Sequence, residues 1–274
     1  MPQQSGVREL DRFDCYEACV QSPAHVAKFL RAVHGNHPRV LREDFCGTAA
    51  LSRRWLEDAG RLGEAARAVA VDLDPDCVER ASRQSPEALR VLRADCRNPH
   101  VGDGAAADVV FVGNFSVGYL HTRSELVSYL RHSRERLARV ARGDRGGVFV
   151  CDTYGGASAF KLGSLTRKHP SRTGEIIHYH WAHEEADALT GMVTNSISFK
   201  VERAGEIVQE LPRAFVYRWR LWSIAELREA MIEVGFASTE VYTECNVVPG
   251  EVPWAVHEPS ELKDDWIVLV VGRT

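Results

Sequence analysis

"VLREDFCGTAALSRRWLE", residues 40 to 57, decides how the rest of the chain is read. It opens as a buried strand, breaks at Gly47, and continues with the apolar spacing of a helix. Two carboxylates, Glu43 and Asp44, stand where the apolar run should continue. In an open α/β sheet, ligands bind beyond the carboxyl ends of the strands, where the next helix begins. A dinucleotide site would place G-x-G-x-x-G at this turn, so that pyrophosphate meets the helix N-terminus. This chain has Phe45, Gly47 and Ala49 at the first three positions, with Thr48 opening the helix and Ser52 further on. Bulky Phe45 and the neighbouring acids argue against an anion. They suit a cation that needs close backbone approach at one glycine.

Outward from this stretch, strand and helix signals alternate. Upstream, "SPAHVAKFLRAVHG" has Ser22 as N-cap, Pro23 at the first helical position and Gly35 as stop. "RVLRED" reads as a strand and "TAALSRRWLEDAG" as a helix ended by Gly60. "RAVAVDL" is a buried-strand run, and Asp74 with Pro75 caps the helix "PDCVERASRQ". "LRVLRAD" and "DVVFVGN" are further strands, and Thr122 with Glu125 makes a capping box for "RSELVSYLRHSRERLARVA". "GGVFVCDTYGG" is a short strand entering a glycine-rich turn. Such alternation implies a doubly wound, mostly parallel sheet with helices on both faces.

The rhythm breaks over residues 157 to 222. "GEIIHYHWAH", "TGMVTNSISFKVE" and "AFVYRWRLW" read as consecutive antiparallel strands, so this segment is an insertion. Alternation then resumes: Ser223 and Glu226 box the helix "IAELREAMIEVGF", Gly235 stops it, and "STEVYTE" and "DWIVLVVG" form a closing hairpin at the sheet edge. The expected organisation is an N-terminal part with helices and an α/β core at 1–156, a β-rich cap at 157–222, and a last helix and hairpin at 223–274.

Asp72 falls at the tip of "VAVDLDP", where a carboxylate can accept both hydroxyls of a ribose. Its alternative role, capping the next helix, is already filled by Asp74. Asp95 and Cys96 fall at a third strand tip, suited to the edge of an adenine.

With three acid-bearing strand tips in order, the chain resembles a class I S-adenosylmethionine-dependent methyltransferase. "EDFCGTA" is similar to that family's acidic-plus-glycine motif, "VAVDLDP" to its ribose motif and "LRADCRN" to its adenine-side motif. "ADVVFVGNFSVGYL", "GGVFVCDTYGG" and "WSIAELREAMIEVGF" resemble the later motifs. The likeness spans roughly residues 36 to 156 and 223 to 273. It is greatest to the small-molecule branch that includes glycine and amino-sugar N-methyltransferases. It implies a seven-stranded Rossmann-like sheet, S-adenosylmethionine as cofactor, and a small polar acceptor such as an amine. By the same resemblance, Glu43 lies near the carrier's ammonium or sulfonium, and Gly47, with Phe45, Thr48 and Ala49 around it, meets the methionyl part. Asp72 holds the ribose, Leu73 packs on the adenine, and Asp95 and Cys96 meet its amine edge. Asn114 and Ser116 lie where carrier and acceptor meet, and Tyr16 and Arg42 bind the carrier's carboxylate. The alternative for Arg42 is a strand residue whose charge reaches solvent.

Methyl transfer needs alignment and exclusion of water, with a base only where the acceptor carries a proton. Asp152, Tyr154 and His180 are the candidate catalytic residues, and Tyr119, Trp181 and Arg218 the candidate acceptor contacts. His178 and His180 share one face of a strand, but an HxH pair without an evident third ligand is not expected to hold a metal. In "FVYRWRLW", Phe215, Tyr217, Trp219 and Leu221 share a face that reads as core. The basic segment "RHSRERLAR" reads as a solvated helix face.

Composition trims the alternatives. Apolar content of 45%, a net charge of −4 and a pI near 6.3 give no global pull toward nucleic acid or anionic membrane. An RNA or protein methyltransferase would want a basic groove, and a binding-only sensor would have less use for Asp72. The longest apolar run, Trp266 to Val271, is far below the ~20 residues of a membrane span. "MPQQSGVREL" lacks the features of a secretory signal, and seven cysteines without CxxC spacing suit free thiols in the cytoplasm. The sequence leaves room for a homodimer.

Overall fold

The apolar runs of the first half become the parallel strands of one sheet because each is too short for a helix and is bounded by turn residues. The computed structural model describes residues 9–35, 37–102, 104–139, 146–245, 247 and 252–274. Its helices are α1 (Arg12–Cys19), α2 (Pro23–His34), α3 (Ala50–Arg61), α4 (Pro75–Arg83), α5 (Arg123–Arg136) and α6 (Ile224–Glu233). Its strands are β1 (Val40–Asp44), β2 (Arg67–Asp72), β3 (Leu89–Arg93), β4 (Val109–Val112), β5 (Val148–Gly156), β6 (Gly163–Pro170), β7 (Ile176–Asp187), β8 (Met192–Arg203), β9 (Glu206–Arg220), β10 (Ser238–Tyr242) and β11 (Asp265–Arg273).

The chain divides into two units. The larger comprises Ser22–Phe160, Asp187–Met192 and Trp219–Thr274. Its seven strands run in the order β10-β11-β5-β4-β1-β2-β3, all parallel except β11. The order reverses at β1, the switch point where such sheets bind ligands. Alternate residues face two cores. Val69, Val71, Val110 and Val112 pack with Leu126, Leu130 and Leu227 of α5 and α6. Leu41, Ala68, Ala70 and Phe111 pack with Phe29 of α2 and with Leu51 and Trp55 of α3.

The smaller unit comprises Met1–Gln21, Lys161–Ala186 and Val193–Arg218. It is built on a separate antiparallel sheet in the order β6-β7-β8-β9. Its core joins Cys15 of α1 to Ile177, Ile197, Phe199 and Val201.

Several local expectations need correction. Gly60 does not stop α3, which runs to Arg61 before Gly63 turns at φ 69°. Ser22 makes no side-chain cap, whereas both capping boxes form. Helix α5 ends at Arg136, and the expected end at Val140 and Ala141 lies outside the described residues. The insertion holds four strands rather than three: β6 is exposed along most of its length, and β9 begins at Glu206. Strand β5 continues through Gly155 and Gly156 because β11 pairs with it to the end. The last two strands are antiparallel neighbours, but residues 243–264 join them instead of a tight hairpin turn. No helix among the described residues is long and apolar enough to cross a membrane.

Candidate cofactor and active site

The turn after β1 keeps the shape expected of glycines although two of its three glycine positions are filled by other residues. Phe45, Gly47 and Ala49 all adopt left-handed φ, at 55°, 55° and 57°. Cys46 N–H donates to the Val71 carbonyl at 3.0 Å, and Gly47 N–H donates to Asp72 Oδ2 at 2.7 Å. These bonds lock the turn onto β2, and α3 starts at Ala50, two residues later than Thr48. A Cβ built on Gly47 meets nothing within 4 Å, so its backbone faces open space. Thr48 is buried, and its carbonyl accepts the Arg53 guanidinium.

At the tip of β2, Asp72 Oδ1 accepts Asp74 N–H at 2.9 Å, and burial raises its pKa. Asp74 caps α4. Leu73 is 61% exposed, an apolar side chain beside the acid. Beyond β3, Asp95 is gripped by the guanidinium and N–H of Arg97, and those hydrogen bonds hold its pKa down. Cys96 is buried in the core, so its thiol is turned away from solvent.

The ends of β4 and β5 are tied together in the same way. Asn114 and Phe115 are left-handed at φ 55° and 61°. Their N–H groups donate to Asp152 at 2.9 and 2.6 Å, and burial pushes the Asp152 pKa up to about 7. Ser116, itself buried, starts a single 3₁₀ turn that ends at Tyr119. Aromatic rings collect here. Tyr119 stacks on Phe45 at 5.8 Å, and Phe115 meets Tyr154 at 4.9 Å edge-on. Trp219 meets both Phe115 and Tyr119. Gly118 lets Trp219 in, since a Cβ there would come within 2.7 Å of the Trp219 Cβ. Burial pushes the Tyr119 hydroxyl up to about 12, so it keeps its proton at neutral pH.

Four non-glycine residues (Phe45, Ala49, Asn114 and Phe115) thus hold left-handed backbone at the carboxyl ends of β1 and β4. Each such residue costs roughly 1–2 kcal/mol, and such strain gathers at functional sites. Gly47, Asp72, Asn114, Ser116, Tyr119 and Tyr154 all fall at this edge of the sheet.

Two acids and one arginine of β1 lie elsewhere. Glu43 is 6% exposed and faces α3, where Oε2 accepts both the N–H and the hydroxyl of Ser52. Burial pushes its pKa up to about 7, and it braces the turn from behind instead of lying open to a cation. Arg42 and Asp44 face α5. Arg42 is 5% exposed and donates to Asp44 at 2.9 Å and to the Val101 carbonyl at 2.8 Å. It neither reaches solvent nor presents its charge to a carrier carboxylate. Alternation along β1 explains this: Arg42 shares a sheet face with Val69 and Val110, its register partners.

The remaining candidates belong to the smaller unit. Tyr16 packs on Phe215 at 4.9 Å, and Trp181 stacks on Tyr217 at 6.3 Å. His180 Nδ1 lies 3.1 Å from Thr166 Oγ1, and Arg218 is exposed on β9. His178 is held by Glu202 at 2.6 Å. Phe115 and Trp219 were not anticipated at the site. The period-2 pattern assigned Trp219 to core, and it is buried, but its ring also walls the aromatic cluster.

Searched by sequence, the chain matches no protein-family model and no curated protein. By structure it is similar to the sugar N-methyltransferase KedS8 from Streptoalloteichus sp. ATCC 53650, at 19% identity and TM-score 0.65, over 98% of this chain and 94% of that one. Streptomyces venezuelae DesVI gives 19% and 0.68 over 97% and 99%. CalS10, an amino pentose methyltransferase from Micromonospora echinaspora whose structure has S-adenosylmethionine bound, gives 17% and 0.66 over 98% and 99%. The chain has the Rossmann-like fold of these methyltransferases, a mostly parallel seven-stranded sheet accompanied by a four-stranded antiparallel one.

Proposed function

We propose that this chain is an S-adenosylmethionine-dependent methyltransferase whose acceptor is an amine on a small polar metabolite, an amino sugar being the first class to try. One observation carries the reading. The ends of β1, β2 and β4 join the open backbone of Gly47, the carboxylate of Asp72 and the faces of Phe45 and Tyr119. An acid for a diol and aromatic faces for a cation fit this carrier, while a pyrophosphate would meet acids. The structural neighbours named for amino-sugar chemistry motivate the acceptor class.

When bound, S-adenosylmethionine supplies a methyl carbon already activated by its sulfonium. The protein then has to align the acceptor and keep water out. Asp72 takes the ribose hydroxyls on lone pairs left beside Gly47 N–H and Asp74 N–H, and Leu73 covers the adenine. Gly47, with Thr48 and Ala49, accommodates the methionyl part, and Asn114 and Ser116 border both ligands. Asp95 can serve the adenine amine only when Arg97 yields it, and Cys96 only through its backbone. Asp152 acts by holding Asn114 and Phe115 in place, since both of its oxygens are bound by backbone N–H groups. Tyr119 donates, and Tyr154 orients the acceptor. We assign the 157–222 segment to acceptor recognition, with His180 as the base that frees the amine and Trp181 and Arg218 as contacts, and we keep Tyr16 as a ligand of the carrier's carboxylate.

Calorimetry with S-adenosylhomocysteine and NAD, followed by transfer of labelled methyl to metabolite pools, RNA and protein, tests the reading. Saturable binding of S-adenosylhomocysteine but not of NAD, with label in small amines, is expected. Binding of NAD instead, or label only in macromolecules, would end it.

A further inference from the structure

One crossover of the larger unit departs from the βα rhythm. Between β3 and β4, the described residues of 94–108 contain no helix. Parallel strands are usually joined through a helix that covers the sheet, and here a loop takes its place. Beside this loop lies a cavity of about 360 Å³, lined by Val40, Arg42 and Val69 of the sheet, Val101 and Ala106 of the loop, and Arg136 of α5. It adjoins the first residues of β1, whereas the methyl-transfer site lies at the far ends of the strands.

Among the described residues, the buried guanidinium groups at this wall outnumber the buried carboxylates beside them. Asp44, fully buried, accepts Arg42 Nε at 2.9 Å and the Tyr129 hydroxyl at 2.8 Å, and lies 3.7 Å from Arg136 Nη1. Two guanidinium groups therefore share one carboxylate. Arg136 spends its other contacts on the carbonyls of Cys96 and Asn98. Arg42 Nη2 and Arg136 Nε are closed off from solvent and meet no acceptor among the described residues. Leaving a charged donor buried without a partner is unfavourable, so native structures seldom do it. Burial, and then repulsion from Arg42, lower the Arg136 pKa. Among the described residues, the other titratable groups on the wall are His100, His132 and Glu135. Glu135 is largely exposed, so solvent screens its charge from the buried arginines.

We propose that this cavity binds a small oxyanion, a phosphate or a carboxylate, through Arg42 and Arg136. An anion supplies what the wall lacks, a second negative charge for two guanidinium groups that share one carboxylate. Guanidinium groups match carboxylate and phosphate oxygens in both geometry and charge. The volume falls near the low end of ligand pockets, which suits a metabolite-sized anion. The inference stands apart from the methyl-transfer reading, and its test uses no methyl carrier.

Inorganic phosphate and succinate are titrated separately into the full chain by calorimetry, in chloride buffer at constant ionic strength so that screening is matched. One saturable site for phosphate, succinate or both is expected, and the preferred probe identifies the anion class. Arg136→Gln should weaken that binding by roughly tenfold or more, as loss of a charge-assisted contact requires. Ala106→Glu should do the same by placing a carboxylate on the wall; Ala106 is exposed, so this variant keeps its fold by circular dichroism. No saturable binding of either probe to the native chain, or binding that both variants leave unchanged, overturns the proposal.

Discussion

Replacing Asp152 by Asn keeps the shape of the side chain and one acceptor oxygen but removes the charge. In the native chain its two oxygens take the N–H groups of Asn114 and Phe115 at 2.9 and 2.6 Å. The amide nitrogen of Asn must face one of those donors, so one hydrogen bond is lost, worth ~0.5–1.5 kcal/mol while the native carboxyl is neutral. The loss falls where both residues are left-handed, so the turn carrying Ser116 loosens with it. The pH dependence then separates burial from packing. Burial raises the Asp152 pKa from an ordinary 3.8 to about 7 in the folded chain. A folded-state pKa above the unfolded one means that the bound proton favours folding. That contribution is complete below about pH 4 and is lost as pH rises through about 7. Its ceiling is ~4 kcal/mol, about three pKa units at roughly 1.36 kcal/mol each. Asn does not titrate, so the native chain's advantage over the variant should shrink by ~2–3 kcal/mol between pH 5 and pH 8. Urea unfolding of both proteins across that range measures it, with S-adenosylhomocysteine affinity followed in parallel and expected to fall in the variant. Parallel stability profiles would refute the burial argument. Unchanged stability and affinity with lost turnover would make Asp152 a base and not a brace.

Asp72→Ala removes charge-assisted hydrogen bonds worth ~1.5–3 kcal/mol each, so S-adenosylhomocysteine should bind at least roughly tenfold more weakly. Unchanged affinity by calorimetry removes Asp72 from the site. Ala49→Gly relieves a left-handed alanine at ~1–2 kcal/mol while giving up ~0.5–1 kcal/mol of backbone entropy, so the variant should unfold at a slightly higher temperature. A lower Tm in scanning calorimetry speaks against a strained turn at Ala49. Arg42→Met strips Asp44 of its direct ion-pair partner at 2.9 Å, and breaking a buried pair costs ~3–5 kcal/mol. Denaturant titration that finds a loss below ~1 kcal/mol would show that Asp44 does not depend on it.

The sheet was legible because its signals are local. A buried run, an acid at the tip, a capping box and a helical period all lie within a dozen residues of one another. Asp72 could be placed at a strand tip, outside the helix cap, because Asp74 and Pro75 already accounted for the helix start. The left-handed turns were not legible beyond Gly47, because Phe45, Ala49 and Phe115 carry no side-chain signature of positive φ. Arg42 was misread because its environment comes from far away in sequence. Tyr129 and Arg136, which complete the Asp44 group, lie on α5, and nothing local announces that a strand charge will be buried. Glu43 reads as a ligand for a cation because Ser52, in the first turn of α3, gives no sign in sequence that it will bond back to β1. Strand β6 escaped for the opposite reason: most of it faces solvent, so burial imposed no alternation on its sequence.

Helix α1 packs within the smaller unit even though most of that unit is encoded far downstream. Gln209 donates to the Leu10 carbonyl across 199 residues, and Phe215 receives the rings of Phe13 and Tyr16. An eight-residue helix does not persist in water by itself, so α1 becomes ordered only on docking. Closing so long a loop adds little to its thermodynamic cost, but it delays folding, because the reward arrives after the search. During synthesis, Phe13, Cys15 and Tyr16 leave the ribosome long before Phe199 and Phe215 have been made. For that interval Phe13, Cys15 and Tyr16 wait for the surface that will bury them, the kind of exposure on which a holding chaperone acts.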